Sequence, residues 1–334
     1  MPGCMEHVDA GAEALRPALR RAGAALLVLW CLAFCVSCGG SPTPPSTDDS
    51  STQALRIVSL SPAVTRMIID MGGRDLLVGV AQHDDVSLGL PVCGNYLDPD
   101  VERILSLEPD LILTESGVQP TSARLAELEM AGVFEVVALP HMESVGDVAD
   151  ALTHPEHGLG VLLNMPDAAQ HARERLDARL ALIAELVEDR PRPRVLMLLT
   201  TDPLGAIGGG VTHDQLLAMA GGDNVLADAD AGYVLIDRQM LIDDLRPDVI
   251  LLIDPNGAAL REGDDRLRSL EGLPIPAMTD SRVVVIDHPQ ALLPSTSLPE
   301  LLGQMVVGLH PDLAQAVGRA LSLEAADALS EMQP

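Results

Sequence analysis

The chain has 334 residues, 47% of them apolar and 21% charged, which is enough to build two domains and excludes a disordered tail. Its 49 acidic residues against 21 basic ones give a net charge of −28, which argues against nucleic-acid binding, because neutralising phosphates needs clustered cations. Every basic residue is Arg, and the aromatic residues are Trp30, Phe34, Phe134, Tyr96 and Tyr233 alone.

Arg20 and Arg21 precede an apolar run from Ala22 to Val36, too short to cross a bilayer core of ~30 Å comfortably. It reads as a secretory h-region behind a positive n-region. The run ends in CVSCGGS, where Ser37, Cys38 and two glycines resemble a bacterial lipoprotein cleavage box. Cys35 stands where Leu is usual. Residues 1–38 are therefore expected to be a signal peptide with Cys38 as the lipidated first residue, and a plain signal peptide or short anchor helix is the alternative. Residues 39–54, GGSPTPPSTDDSSTQA, have almost nothing to bury and read as a flexible tether. With Cys38 lipidated, Cys93 has no disulfide partner and is expected to be buried and inert. No Cys/His spacing has the form of a zinc site, and no metal or cofactor is expected.

Residues 55–142 are expected to form a first α/β lobe. A strand in RIVSLS ends at Pro62, and AVTRMIIDMGG reads as a helix closed by Gly72 and Gly73. LLVGVA is the next strand. Asp98 and Pro99 read as N-cap and first-turn proline of a helix, DVERILSLE, that Pro109 stops. DLILT is a strand, TSARLAELEMAG a helix and FEVVALP a strand. This alternation predicts a mainly parallel sheet covered on both faces. Residues 143–190 turn helical and read as a connector, broken at Pro155. Residues 191–334 resume the alternation as a second lobe, with strands RVLMLLT, DVILLID and RVVVIDH. Its helices are THDQLLAMAGG, DRQMLIDDL and LPELLGQMVVGLH. The fold class expected is α/β: two similar lobes with mainly parallel sheets, a long helical connector and a ligand cleft between the lobes.

One piece occurs twice. GNYLDPDVERILSLEPDLILTESG and YVLIDRQMLIDDLRPDVILLIDPNG each carry a Tyr, a helix, Leu-x-Pro-Asp and an apolar strand. Pro109 follows Tyr96 by 13 residues and Pro247 follows Tyr233 by 14. Loops at the carboxyl ends of strands line the crevice of an open α/β sheet. Tyr96 and Tyr233 are therefore expected in such loops, one per lobe, gripping a ligand with flat apolar faces and polar tips. The alternative is two rim tyrosines with no shared partner.

RIVSLSPAVTRMI, GNYLDPDVERILSLEPDLIL, LAMAGGDNVLAD and RVVVID with Pro294 and the closing helix, in that order, resemble the solute-binding proteins of ABC importers for cobalamin, haem and ferric siderophores. The Leu-Ser-Pro start and Tyr-x-x-Pro-x-x-Glu are most like the cobalamin binders. The resemblance implies a two-lobed fold with little hinge motion, no catalysis and a ligand cleft. Pro62, Ala63 and Tyr96 would line the first lobe and Tyr233 the second, with Asp84, Thr201 and His288 in bordering loops. It also implies docking on a membrane permease through one carboxylate per lobe. Glu102 matches the first. The second falls at Gln239 or Met240, neither acidic, where Asp237 or Asp243 could substitute. The expected protein is a monomeric, lipid-anchored receptor on the outer side of a bacterial membrane that delivers a corrinoid to its permease, with haem or a ferric siderophore as the alternative ligand.

Other readings are weaker. His83 with Asp84, and His154 with His157, lack a third ligand for a metal. GAIGGGVTHD could cradle a phosphate before a helix but lacks the Lys-Ser/Thr of a nucleotide loop. No Ser-His-Asp order is evident. A tethered scaffold that has lost transport is favoured only by the missing second docking carboxylate.

Overall fold

Leucine- and β-branched-rich runs make the strands of this chain, and Gly, Pro and Asp end them. The structure is a computed structural model that describes residues 54–115, 122–229, 231–255, 257–261 and 263–322. The expected signal peptide, Cys38 and all of the tether except Ala54 lie outside the described residues. The described residues belong to one compact unit.

In chain order the first part holds β1 (Ile57–Ser59), α1 (Pro62–Asp70), β2 (Leu77–Gly79), α2 (Val101–Ser106), β3 (Leu111–Glu115), α3 (Ala123–Met130) and β4 (Glu135–Leu139). Then come α4 (Val145–Thr153), α5 (Leu159–Leu162) and α6 (Pro166–Glu185). The last part holds β5 (Arg194–Thr201), β6 (Leu204–Ile207), α7 (Thr212–Met219), β7 (Asp223–Asn224), β8 (Tyr233–Leu235), α8 (Arg238–Met240), β9 (Val249–Ile253), α9 (Pro276–Thr279), β10 (Val283–Ile286), α10 (Leu298–Leu309) and α11 (Ala314–Ser322).

The first sheet has the order β2-β1-β3-β4 and is parallel throughout. The second has the order β10-β9-β5-β6-β8 with β7 beside β5. Its β10, β9, β5 and β7 pairings are parallel, but β6 and β8 are antiparallel additions. The second sheet is thus mixed, because Asp202 and Pro203 turn β5 straight back into β6 with no crossover helix.

Alternation along the strands splits the core. Val249, Leu251 and Ile253 of β9 enter the main cluster, whereas Ile250 and Leu252 enter a second one on the opposite face. The main cluster is continuous from Ile57 and Val64 in the first lobe to Leu251 and Leu302 in the second. The 20-residue α6 carries it across with Ala169, Ala172, Leu176, Leu180 and Ile183, a helical stripe on one face.

The duplicated piece forms the same clasp in each lobe. Arg56, just before β1, donates its N–H to the Asp110 carboxylate (2.8 Å) and accepts from Asp110 N–H (2.9 Å). Its Nη2 donates to the Leu107 carbonyl (2.7 Å). Arg194, the first residue of β5, repeats all three bonds with Asp248 (2.9 and 2.8 Å) and Leu245 (2.8 Å). Glu108 and Arg246, each preceding the proline, are both left-handed at φ 47° and 40°. Asp100 and Asp237 both cap the helix that enters the clasp, accepting from Arg103 N–H (3.0 Å) and Met240 N–H (2.9 Å). The one extra residue in the second copy is absorbed by a π-helical turn, Leu241–Leu245, directly after α8. Because the insertion follows position 239, Gln239 and not Met240 is the counterpart of Glu102.

Asp98 and Pro99 do not start α2. They close a tight loop instead: Asn95 N–H donates to the Asp98 carbonyl (3.2 Å) and Gly94 bridges Pro99. Asp100 is the cap, because its carboxylate reaches the Arg103 amide.

Asp248→Ala removes the side-chain acceptor of the Arg194 amide and is expected to cost about 0.5–1.5 kcal/mol of stability by urea denaturation, with Asp248→Asn milder. A loss below about 0.5 kcal/mol for the alanine variant would show the clasp to be decorative.

Candidate functional site

The carboxyl ends of β1, β2 and β3 carry a polar cluster that the helix α1 organises. Ser61 caps α1, its Oγ accepting from Val64 N–H (3.3 Å), and the Ser61 hydroxyl donates to Glu115 at the end of β3. Thr65, one turn into the helix, lies 2.9 Å from Ser59 Oγ and 2.9 Å from the Asp84 carboxylate. A hydroxyl has one proton, so ionised Asp84 takes it. Ala81 N–H adds a second bond to Asp84 (2.9 Å). Burial outweighs these bonds and pushes the Asp84 carboxyl from an ordinary 3.8 up to about 6. Pro62 is half-buried at the start of α1, but Ala63 is fully buried, so its methyl belongs to the core and only its backbone could face a ligand.

Tyr96 stands at the tip of the Gly94–Pro99 loop. Asn95 stiffens that loop by accepting from Leu97 N–H (2.9 Å) and Asp98 N–H (3.0 Å), and Gln82 N–H ties it to the β2 end through the Gly94 carbonyl (2.5 Å). Gly94 is required there: its φ is 81° and a Cβ would sit 2.3 Å from the Asp98 carbonyl oxygen. Tyr96 and its neighbour Leu97 are 40% and 59% exposed, so a rigid loop holds an apolar pair out of the core.

The second lobe has its own such pair. Tyr233 lies in a strand, β8, rather than in the expected loop, because it pairs with Ile207 of β6. Tyr233 and Leu235 alternate onto one face and are 47% and 62% exposed, while Ile236 turns into the core. The phenol lies across Gly205, where any Cβ would meet its oxygen at 2.0 Å, and the hydroxyl is 3.4 Å from Thr200 Oγ1. Thr201, the next residue, pairs with Leu204 at the mouth of the β5–β6 hairpin.

Asp84 is thus bonded to Thr65 of α1, the helix that Pro62 and Ala63 begin, and Tyr233 lies against the strand end that carries Thr201. His288 lies apart from both groups. It follows β10, where its N–H donates to Gln304 Oε1 (3.2 Å) and its Nδ1 accepts from Gln290 N–H (3.2 Å). Burial holds its imidazole below the usual value. It lines a groove of about 690 Å³ along β10, α10 and α11 with Asp287, Glu300 and Gln304. Glu102 is exposed in the first turn of α2, and Gln239 donates to Asp243. Asp237 is committed as the cap of α8. Ser59, Ser61, Thr65, Glu115, Thr200, Leu97 and Leu235 escaped sequence reasoning. Only the last two carried a signal there, as apolar neighbours of a tyrosine.

The glycine-rich loop is not a phosphate cradle. A Cβ at Gly208 or Gly209 would meet the carbonyl oxygen of Ala231 or Ala227 within about 2 Å, so these glycines serve close backbone packing. Asp214 fills the helix start by accepting from Gly210 N–H (3.1 Å). His154 and His157 stack, ring centroids 3.4 Å apart, and no set of three His, Cys, Asp or Glu side chains suited to a metal occurs among the described residues. Cys93 is fully buried, and burial pushes its thiol up to about 11, an inert state.

Residues 57–289 match the sequence model of a family described as periplasmic binding protein. A vitamin B12-binding protein of Yersinia pestis is 26% identical over 204 residues, covering 60% of this chain and 69% of that one. A periplasmic haem-binding protein of Pseudomonas aeruginosa superposes with a TM-score of 0.64 at 26% identity, over 77% of this chain and 92% of that one. The fold is also that of the periplasmic vitamin B12-binding protein of Vibrio cholerae, with a TM-score of 0.61 at 22% identity over 78% and 97% of the two chains.

Asp84 binds its proton more tightly in the folded protein, so its contribution to stability is full below an unfolded value near 3.8 and is lost as pH rises through about 6. The whole shift would be worth ~3 kcal/mol, and water reaching the carboxylate reduces that to about 1–2 kcal/mol. Asp84→Asn is expected to flatten the stability profile across that window and to gain at neutral pH, read by urea midpoints at a series of pH values. A variant whose profile keeps the wild-type slope would remove Asp84 as its source.

Proposed function

The chain belongs to the periplasmic binding protein family, and from that premise we propose that it captures a corrinoid between its two lobes and hands it to a membrane ABC permease. Proteins of this family bind and deliver solutes and are not enzymes. The observation that carries the ligand class is the matched pair of exposed Tyr-Leu faces, Tyr96 with Leu97 and Tyr233 with Leu235, each held by stiff backbone. Two apolar platforms with polar tips suit a large, nearly neutral ring system. The vitamin B12-binding relative supports the same class.

Charge favours it over an anionic ferric siderophore. Arg238, shortly after the Tyr233 strand, spends its guanidinium on the carbonyls of Ser269 and Glu271 (the latter 3.1 Å). Asp84 and Glu115 make the first-lobe cluster acidic. Haem is the second reading, favoured by the haem-binding neighbour at 26% identity and by a tyrosine in each lobe that could serve as an axial ligand.

The residues we assign to the ligand are Pro62, Ala63, Asp84, Tyr96, Thr201 and Tyr233, with His288 at the border. We assign Glu102 to permease docking with Gln239 as its uncharged counterpart, so that one lobe would dock through an ion pair and the other through a neutral hydrogen bond. Cys38 is the proposed lipid attachment, with residues 39–54 as tether and residues 55–142, 143–190 and 191–334 as first lobe, connector and second lobe. That arrangement puts the binding unit on the periplasmic or outer side of a bacterial membrane.

Titration of residues 53–334 with cyanocobalamin, haemin and ferric siderophores is expected to give saturable binding to the first. Tyr96→Ala and Tyr233→Ala should each weaken it about tenfold or more. Unchanged affinity in both variants would remove the paired-ring account, and binding of haemin alone would decide for the second reading.

A further inference from the structure

Away from the tyrosines, a second cavity lies where α1, α6 and the segment before α10 meet. It has a volume of about 280 Å³ and is walled by Arg66, Asp70, Arg175, Arg179 and Thr296, with Ala172, Leu176 and Pro299 completing it. Three of the 21 arginines of a chain with net charge −28 thus converge on one small space. They come from different parts of the fold: Arg66 from α1, Arg175 and Arg179 from the connector α6, and Thr296 from the second lobe.

Asp70 is the one carboxylate in this wall, and its Oδ2 takes two bonds. It accepts from Arg66 Nε (2.8 Å) and from the Thr296 hydroxyl (2.5 Å), which ties the two lobes together. Arg175 Nη2 donates to the Asp70 carbonyl at the end of α1 (2.7 Å), a cation placed at a helix C-terminus. Arg66 Nη2 lies 3.8 Å from Glu300, too far for a hydrogen bond. A guanidinium has five N–H donors in a planar fork. Arg66 and Arg175 therefore keep donors beyond these contacts, and Asp70 with Glu300 sets two carboxylates against three guanidiniums. Arg179 is itself engaged, so Arg66 and Arg175 suffice for the site and Arg179 adds to its field.

We propose that this cavity is a binding site for a small, multiply charged oxyanion of the phosphate, sulfate or short polycarboxylate class, held by Arg66 and Arg175 with Arg179 at the junction of the lobes. Forked donors match the oxygen spacing of such ions better than a point charge would. The bound ion relieves repulsion among the guanidiniums and links α1 to the connector beside the Asp70–Thr296 bond. The overall charge of the chain repels anions, so affinity has to come from this local field. The size of the cavity suits a free ion, and a lipid headgroup would leave its chains outside.

Isothermal titration calorimetry and thermal melts of residues 53–334 with sodium phosphate, sulfate and citrate test it, against sodium chloride at matched ionic strength. At least one oxyanion is expected to bind saturably at one site and to raise the Tm, with chloride doing neither. Arg66→Gln and Arg175→Gln should each lower the affinity about tenfold or more. Arg66→Lys, which keeps the charge and loses the fork, should fall between, and Arg124→Gln on α3 should change nothing. Absence of saturable heat with all three oxyanions overturns the proposal, as does unchanged affinity in both glutamine variants. If Arg175→Gln does not fold, the Arg66 pair decides alone. The readout does not involve the cleft ligand, so this site and the proposed function can fail separately.

Discussion

The pairing of a strand-leading arginine with a Leu-x-Pro-Asp turn sets the frame for the rest of this protein. In each lobe the arginine backbone exchanges two bonds with the aspartate while the guanidinium seizes the leucine carbonyl two residues before the proline. Proline cannot donate and the residue before it is left-handed, so the chain reverses between helix and strand within a few residues. The clasp sets β3 beside β1 and β9 beside β5 from their first residues. Everything at the other ends of those strands inherits its position from that register.

What those far ends present is a contrast of surfaces. Each lobe exposes a tyrosine and a leucine side by side, although the chain has little aromatic surface to spare and most leucines among the described residues are buried. The means differ. In the first lobe an asparagine-stiffened loop holds Tyr96 out, whereas in the second an antiparallel strand does so, with Gly205 leaving room for the ring. In the first lobe, hydroxyls from Ser59, Ser61 and Thr65 link two carboxylates to the α1 helix start. Such a network is polar but internally bonded, so few of its oxygens are left without a partner.

The lobes are not independent bodies. One apolar cluster runs through both by way of α6, and the Asp70–Thr296 bond crosses between them beside the arginine-walled cavity. A continuous core resists the large bending motion that a thin hinge would permit.

Local chemistry made much of this legible in advance. Periodicity and the Pro/Gly stops placed β1 to β4 and their helices, the connector, β5, α7, β9, β10 and α10, but not β6, β7, β8 or α9, and the duplicated Leu-x-Pro-Asp revealed the two-lobed plan. Those features follow from short-range sterics and from a hydrophobic period that any observer of the chain can count. The chain alone did not reveal that Asp100 rather than Asp98 caps α2, that Tyr233 lies in a strand, or that a π turn takes up the extra residue of the second copy. Nor did it join Thr65 to Asp84, Ser61 to Glu115, or Arg66 to Arg175, since the groups in each pair stand 19, 54 and 109 positions apart in a sequence where every such pairing looks alike. Folding chooses among them by burial and hydrogen-bond geometry, which exist only once the sheets and the connector have been packed together.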